Sequence, residues 1–357
     1  MNKITIGEKI IGDTQPLYFI ADIGANHDGN IDKAFRLIEL AKEAGADAAK
    51  FQNFQAKKIV SAKGFQDLGE QLSHQATWKK SVYEIYEDAS ISFEWTQKLK
   101  EKCDQIGIDY FTSPYDFESV DHVDAFVDIY KIGSGDITWT QMIRYIALKK
   151  KPVIIATGAS EMEDVERAMN ILQAITKDIV LMQCNTNYTV DPEKIKYVNL
   201  NVLKNFARIY PSVTLGLSDH TIGHSTVLGA IAFGAQFFEK HFTDDNKQEG
   251  PDHKFAMNPQ SWREMVDRSY ELHYALGDGI KRIEENEKAS LVVQQRSIRA
   301  AFNLQAGTII SAAHLEFLRP IPADGFAPYQ AEELIGKKLH LPLEKGAHFT
   351  KKHITDK

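Results

Sequence analysis

The sequence predicts a closed (β/α)8 barrel followed by a small C-terminal module built of short strands. Three observations carry this prediction. Between residues 15 and 280, short apolar runs alternate with longer amphipathic stretches, the pattern of repeated strand and helix units. Polar residues gather where each apolar run ends, as they do on the face of a barrel where ligands bind. After Gly279 the texture changes to a charged run and then to short pieces punctuated by glycine and proline.

Eight strands are predicted: Tyr18 to Gly24, Ala46 to Gln52, Ile108 to Ser113, Ile129 to Gly133, Val153 to Thr157, Ile179 to Cys184, Val213 to Ser218 and Phe237 to His241. Helical segments such as Ile31 to Ala44, Phe93 to Ile106, Glu161 to Ile175 and Ser225 to Phe233 lie between them, with apolar positions three and four residues apart. Eight parallel strands with crossover helices in about 250 residues fit a closed barrel, whereas a doubly wound sheet usually uses fewer. This assigns residues 1–280 to the barrel. The charged run from Lys281 to Lys288 reads as a solvated connector or helix within a linker over 281–296. Residues 297–357 form the terminal module, and about 60 residues is a marginal size for folding alone, so it is expected to pack on a neighbouring surface.

Composition narrows the function classes. In 357 residues, 43% are hydrophobic and 25% charged, both near globular averages, which disfavours disordered and fibrous classes. No apolar stretch approaches the roughly 18 residues of a membrane span, and the N-terminus lacks a secretory layout, so a cytoplasmic location is expected. The net charge of −7 argues against general nucleic-acid or anionic-membrane binding, while leaving room for a local anion pocket. Two distant cysteines, Cys103 and Cys184, exclude a disulfide framework or a cysteine-rich zinc site.

His220 and His241 stand at the ends of the seventh and eighth predicted strands, neighbours in a barrel. Two imidazoles with water and substrate oxygens would suit a divalent metal with open positions; the alternative is a hydrogen-bonded pair of rim histidines. Lys50 and Lys131 fall in otherwise apolar strands, and a buried ammonium needs an anion, either an internal carboxylate or a bound phosphate or carboxylate. Ser113, Ser134-Gly135, Thr157-Gly158 and Ser218 lie at nearby strand ends and could cradle a phosphate. Asp22 and Asp136 end strands one and four, where either could exchange a proton. A Lewis-acid metal beside an anion pocket describes an enzyme that joins or splits a phosphorylated or carboxylated substrate and a carbonyl compound.

The motifs resemble the sialic acid synthase family, the N-acetylneuraminate synthases and their pseudaminic and legionaminic acid relatives, over essentially the whole chain. The carriers are Asp22-Ile23-Gly24-Ala25-Asn26-His27-Asp28-Gly29, Lys50-Phe51-Gln52, Tyr130 to Asp136, Ala156-Thr157-Gly158, Gly216 to His220, Glu239 to Thr243 and Gly250-Pro251-Asp252-His253-Lys254, then Arg296-Ser297 and Leu318-Arg319-Pro320. The terminal module resembles the antifreeze-like (SAF) domain. The resemblance implies condensation of phosphoenolpyruvate with an N-acetylated aldose, dependent on a divalent metal (Mn2+ or Mg2+), releasing phosphate and giving a nine-carbon 3-deoxy-2-keto acid. It assigns His220 and His241 to the metal and Lys50, Ser113, Lys131, Ser134 and Ser218 to phosphoenolpyruvate, with Thr157 and Thr186 in the same pocket. Gln52, Tyr188 and Asp252 match positions at the acyl-amino sugar. Arg319 matches an arginine that the partner's terminal domain places over the sugar amide in a domain-swapped homodimer.

Four departures from the N-acetylneuraminate pattern stand out. Asp22 and Asp136 replace glutamates, each shorter by roughly 1 Å of reach. Ala156 replaces a serine and Thr186 an asparagine. Beyond these four, Thr77 to Tyr86 is closer to the pseudaminic type, while Ser134-Gly135-Asp136 stays nearer the N-acetylneuraminate type. Two other readings remain: a phosphoenolpyruvate-dependent synthase acting on a phosphorylated aldose, and a non-catalytic carbohydrate-binding protein.

Overall fold

The computed structural model describes residues 3–12, 16–72, 75–76, 78–188 and 191–355; Thr77, first residue of the pseudaminic-like stretch, lies outside them. The chain divides into two compact units, Met1–Gly277 and Asp278–Lys357.

A short antiparallel hairpin, β1 (Ile4–Ile6) and β2 (Lys9–Ile11), opens the first unit. Eight parallel strands follow: β3 (Tyr18–Asp22), β4 (Ala48–Asn53), β5 (Asp109–Pro114), β6 (Tyr130–Ile132), β7 (Val153–Ala156), β8 (Ile179–Cys184), β9 (Thr214–Asp219) and β10 (Phe237–His241). Their order is β5-β4-β3-β10-β9-β8-β7-β6. β5 and β6 come together at the seam with no ladder between them among the described residues, so the ring is a nearly closed, TIM-like barrel.

All eight predicted strands form, with no end moved by more than two residues. The local reasons are visible. β3 stops at Asp22 because Gly24 turns the chain with a left-handed φ of 49°. Every residue of β3 is buried, as expected of a parallel strand covered on both faces, which explains why it reads as a continuous apolar run. The helix Ile31–Glu43 starts where the Asn30 side chain accepts from the amides of Asp32 and Lys33, and it buries Ala34, Leu37, Ile38 and Ala41 along one face. The helix Phe93–Ile106 ends at Gly107, again left-handed.

The N-terminal hairpin is not among the predicted elements, because each strand is three residues long and the charges between them mask its pattern. It nonetheless delivers Ile4, Ile6 and Ile11 to the barrel core. Lys9 Nζ reaches Asp109 at 2.7 Å, at the N-terminal end of β5, which seats the hairpin beneath the barrel and away from the strands' C-terminal ends.

The second unit has its own core, including Ile298, Ile310, Phe326, Leu334 and Phe349. Around it, β11 (Ser297–Ala300) pairs with β12 (Leu315–Leu318), and β13 (Lys338–Leu339) with β14 (Ile354–Thr355). The charged connector is partly helical, over Lys288–Gln294. Among the described residues no helix is long and apolar enough to cross a membrane.

Candidate active site

The C-terminal ends of the barrel strands bring four buried charges together. Asp22 ends β3 and lies in register with Lys50 of β4 on one side and His241 of β10 on the other. Lys50 Nζ stands 2.7 Å from Asp22 Oδ2, with the two side chains only 2% and 5% exposed. Lys131 Nζ of β6 lies 3.0 Å from Glu239 Oε1 of β10, equally buried. Ser218 Oγ donates to that same Glu239 oxygen at 3.2 Å.

The two pairs sense one another. Burial pushes the Asp22 carboxyl up, but Lys50, His241 and Lys131 outweigh it and hold the group below its usual range. Glu239 behaves likewise, burial being overcome by Lys131 and Lys50. Burial pulls the Lys50 ammonium down, and Asp22 and Glu239 more than restore it. All three are therefore charged at neutral pH. With Lys131 as the fourth member, the two cations and two anions balance. Three buried oxygens nearby, Asp22 Oδ1, Glu239 Oε2 and Ser113 Oγ, have no partner within the described residues. Buried polar atoms are seldom left unsatisfied, so these mark a surface built to meet a ligand or water.

The imidazoles of His220 and His241 stand beside this quartet, ring centres 5.5 Å apart. His220 Nδ1 is 2.9 Å from the Asn185 carbonyl oxygen, to which it donates, leaving the lone pair on Nε2. His241 Nε2 is 3.8 Å from Asp22 Oδ2, its Nδ1 is 3.6 Å from Asp252 Oδ2, and that Nδ1 is buried without a hydrogen bond. No group of three or more His, Cys, Asp or Glu side chains arranged for a metal occurs among the described residues. The protein thus offers two nitrogen donors, a set that fits a borderline divalent cation whose other positions go to water or substrate oxygen. Tyr188 packs 4.2 Å from the His220 ring and Phe255 5.2 Å from that of His241. Glycine is favoured at position 24: besides its left-handed φ, a Cβ would lie 3.1 Å from Asp252 Oδ2 and 3.2 Å from the His241 ring.

A third group converges after β6, β7 and β8. The Gly158 amide donates to Ser134 Oγ at 3.0 Å, and Thr157 Oγ1 donates to the Met182 carbonyl at 3.0 Å. A Cβ on Gly158 would fall 2.4 Å from Thr186 Cγ2, 2.9 Å from Ser134 Oγ and 3.0 Å from Cys184 Sγ, so glycine is required by close approach. Asp136 follows β6 in a short 3-10 turn, and burial alone pushes its carboxyl up to about 6. Its field in turn adds to the burial that raises the Tyr115 hydroxyl. Gln52 Nε2 donates to Asp22 Oδ2 at 3.4 Å.

The predicted barrel residues thus meet around the strands' C-terminal ends. Arg319 belongs to the second unit, where it is exposed and follows β12. Sequence reasoning did not single out Glu239, Tyr115 or Phe255. Glu239 had a usable signal, an acidic residue two positions before His241 and hence on the same strand face.

Residues 37–281 match the NeuB family. The chain belongs to the NeuB family. Residues 295–355 match the SAF domain. Among NeuB relatives, the N,N'-diacetyllegionaminic acid synthase of Campylobacter jejuni is 33% identical over 322 residues, covering 89% of this chain and 94% of the relative. The human N-acetylneuraminate-9-phosphate synthase is 29% identical over 336 residues, covering 94% and 92%. In structure, the chain resembles the N-acetylneuraminic acid synthetase of Leptospira borgpetersenii, solved in complex with citrate, with a TM-score of 0.70, 26% identity and coverage of 81% and 95%. The expected family and the barrel-plus-SAF architecture are therefore met.

Proposed function

We propose that this NeuB-family chain condenses phosphoenolpyruvate with an N-acetylated aldose, N-acetylmannosamine or a diacetamido-trideoxyhexose, releasing phosphate. The observation that supports the reading best is the buried Asp22, Lys50, Lys131 and Glu239 quartet beside the two imidazoles. The site holds two buried ammonium groups, each braced by a carboxylate that keeps one oxygen without a partner among the described residues. An anionic substrate takes over hydrogen bonds from Lys50, Lys131 and Ser218, and Ser113, Ser134 and the Gly158 amide line the same end, with Thr157 and Thr186 shaping it.

The enol methylene attacks the aldehyde carbon, forming the new carbon-carbon bond, and the aldehyde oxygen takes a proton. Water adds its oxygen to the former enol carbon and gives up a proton. The carbon-oxygen bond to phosphate then breaks as the new hydroxyl gives its proton to the departing phosphate, leaving the 2-keto acid and inorganic phosphate. Preorganised ammonium groups help most where negative charge is redistributed in these steps. Asp136 is the stronger candidate for the proton accepted from water, since its carboxyl sits near neutrality while Asp22 is tied to Lys50. A divalent metal (Mn2+ or Mg2+) held by His220 and His241 would polarise the aldehyde. Gln52, Tyr188 and Asp252 border the acceptor side, and Arg319 is assigned to the acyl-amino group through a domain-swapped homodimer. The barrel domain is placed at 1–280, the linker at 281–296 and the SAF domain at 297–357, and the reaction is placed in the cytoplasm.

The test is phosphate release with phosphoenolpyruvate, Mn2+ and a panel of 2-acetamido and 2,4-diacetamido aldoses, each with a 6-phosphorylated counterpart where the 6-hydroxyl exists. Turnover with an unphosphorylated N-acetylated sugar is expected. Turnover with the phosphorylated sugars alone would replace the acceptor, and none with any sugar would overturn the proposal.

A further inference from the structure

Two ladder rungs join the C-terminal ends of β9 and β10, and the two histidines follow them. Ser218 lies opposite Glu239 and Asp219 opposite Lys240, and His220 and His241 come next. Side chains alternate along a strand, so the Ser218–Glu239 rung and the two histidines face the candidate site and the Asp219–Lys240 rung between them faces away. That outward-facing rung is a third buried ion pair, Lys240 with Asp219, its side chains 1% and 2% exposed. The Lys240 ammonium also donates to the Thr221 carbonyl at 2.5 Å. Asp219 in turn accepts from the Thr221 amide at 3.1 Å, the Thr221 hydroxyl at 3.0 Å and the Thr226 hydroxyl at 2.6 Å. Thr226 sits at the start of the helix Ser225–Ala232. One carboxylate and one ammonium therefore tie together two strand ends, the turn leaving His220 and the helix that follows.

Two fully desolvated charges are a costly way to hold strands together, since a well-packed apolar pair would stabilise the fold as much or more. What an apolar pair lacks is direction: several hydrogen bonds converging on one carboxylate set a backbone position that dispersion contacts do not. We propose that Asp219 and Lys240 are positioning residues that hold His220 and His241 at the separation a shared divalent cation requires. The inference rests on the metal reading above and adds to it two residues that touch neither substrate nor metal.

The experiment measures Mn2+ binding to the full chain by calorimetry without substrate, alongside the thermal midpoint. The paired variant Asp219→Asn with Lys240→Met removes both charges while the amide oxygen still accepts from the two threonine hydroxyls. It is expected to melt near the wild type yet bind Mn2+ at least about tenfold more weakly, the scale on which groups that orient metal ligands act. A folded variant with wild-type Mn2+ affinity would overturn the inference and leave the metal reading intact. Should the paired variant not fold, Thr226→Val removes one hydrogen bond to the carboxylate and is expected to weaken Mn2+ binding about threefold; unchanged affinity there overturns it equally. A wild-type chain that binds no Mn2+ removes the metal reading, and this inference with it.

Discussion

Removing the ionisable group at Asp136 should erase one limb of the pH-rate profile. Burial raises this carboxyl from 3.8 to about 6 with no charged partner to compensate. At pH 5 roughly one Asp136 in ten would be ionised and at pH 7 roughly nine in ten, so a step in which it accepts a proton speeds up across that interval. Asp136→Asn keeps the shape of the side chain and should lower kcat by about 10²- to 10⁴-fold. The assay is phosphate release from pH 5 to 8 at fixed Mn2+ for both proteins. The substrate phosphate itself titrates near 6, so the diagnostic is the difference between the two profiles. Stability carries a matching sign. The folded state holds this proton more tightly than the unfolded state, so the contribution of Asp136 is fully present below about 3.8 and is lost as pH rises through about 6. Asp136→Asn should flatten that decline in urea titrations. A variant with the wild-type limb and rate would refute the role given to this carboxyl.

Other substitutions probe the rest of the site. Lys131→Met removes the direct ion-pair partner of buried Glu239 and should cost about 3–5 kcal/mol in urea unfolding. Adding Glu239→Gln should restore most of that stability without restoring phosphoenolpyruvate binding by calorimetry, and recovery of both would make the pair purely structural. Gly158→Ala drives a Cβ into Thr186, Ser134 and Cys184, and overpacking of this kind costs about 1–3 kcal/mol. Its KM for phosphoenolpyruvate should rise more than that for the sugar. Arg319→Ala should do the reverse, raising the KM of the sugar, and equal effects on both substrates would count against its proposed contact with the acyl-amino group.

The legible part of this protein is the part written locally. Most barrel strands are apolar runs bounded by turn residues, so their positions follow from a few neighbours, as Ile179–Cys184 illustrates residue for residue. The end of each run is equally local, which is why Asp22, Lys50, His220 and His241 could be named as rim groups from their positions alone. The N-terminal hairpin escaped because a three-residue strand carries too little pattern, and its burial comes from the barrel it closes. The partner of Lys131 was open for a related reason. An internal carboxylate and a bound anion satisfy a buried ammonium equally well, and only the closing of the ring brings Glu239, more than a hundred residues away, within 3.0 Å.

What the sequence by itself determined is the succession of strands and helices, the face on which the polar ends collect and the family to which the motifs belong. Tertiary structure decided which charges meet. The pairing of Asp22 with Lys50 and of Glu239 with Lys131, the orientation of His220 by the Asn185 carbonyl and the elevated Asp136 carboxyl all depend on strand register and on how far water is excluded. Secondary structure is set by contacts a few residues apart, whereas electrostatic partnership depends on distance in space and on burial, and both arise only once the barrel has closed.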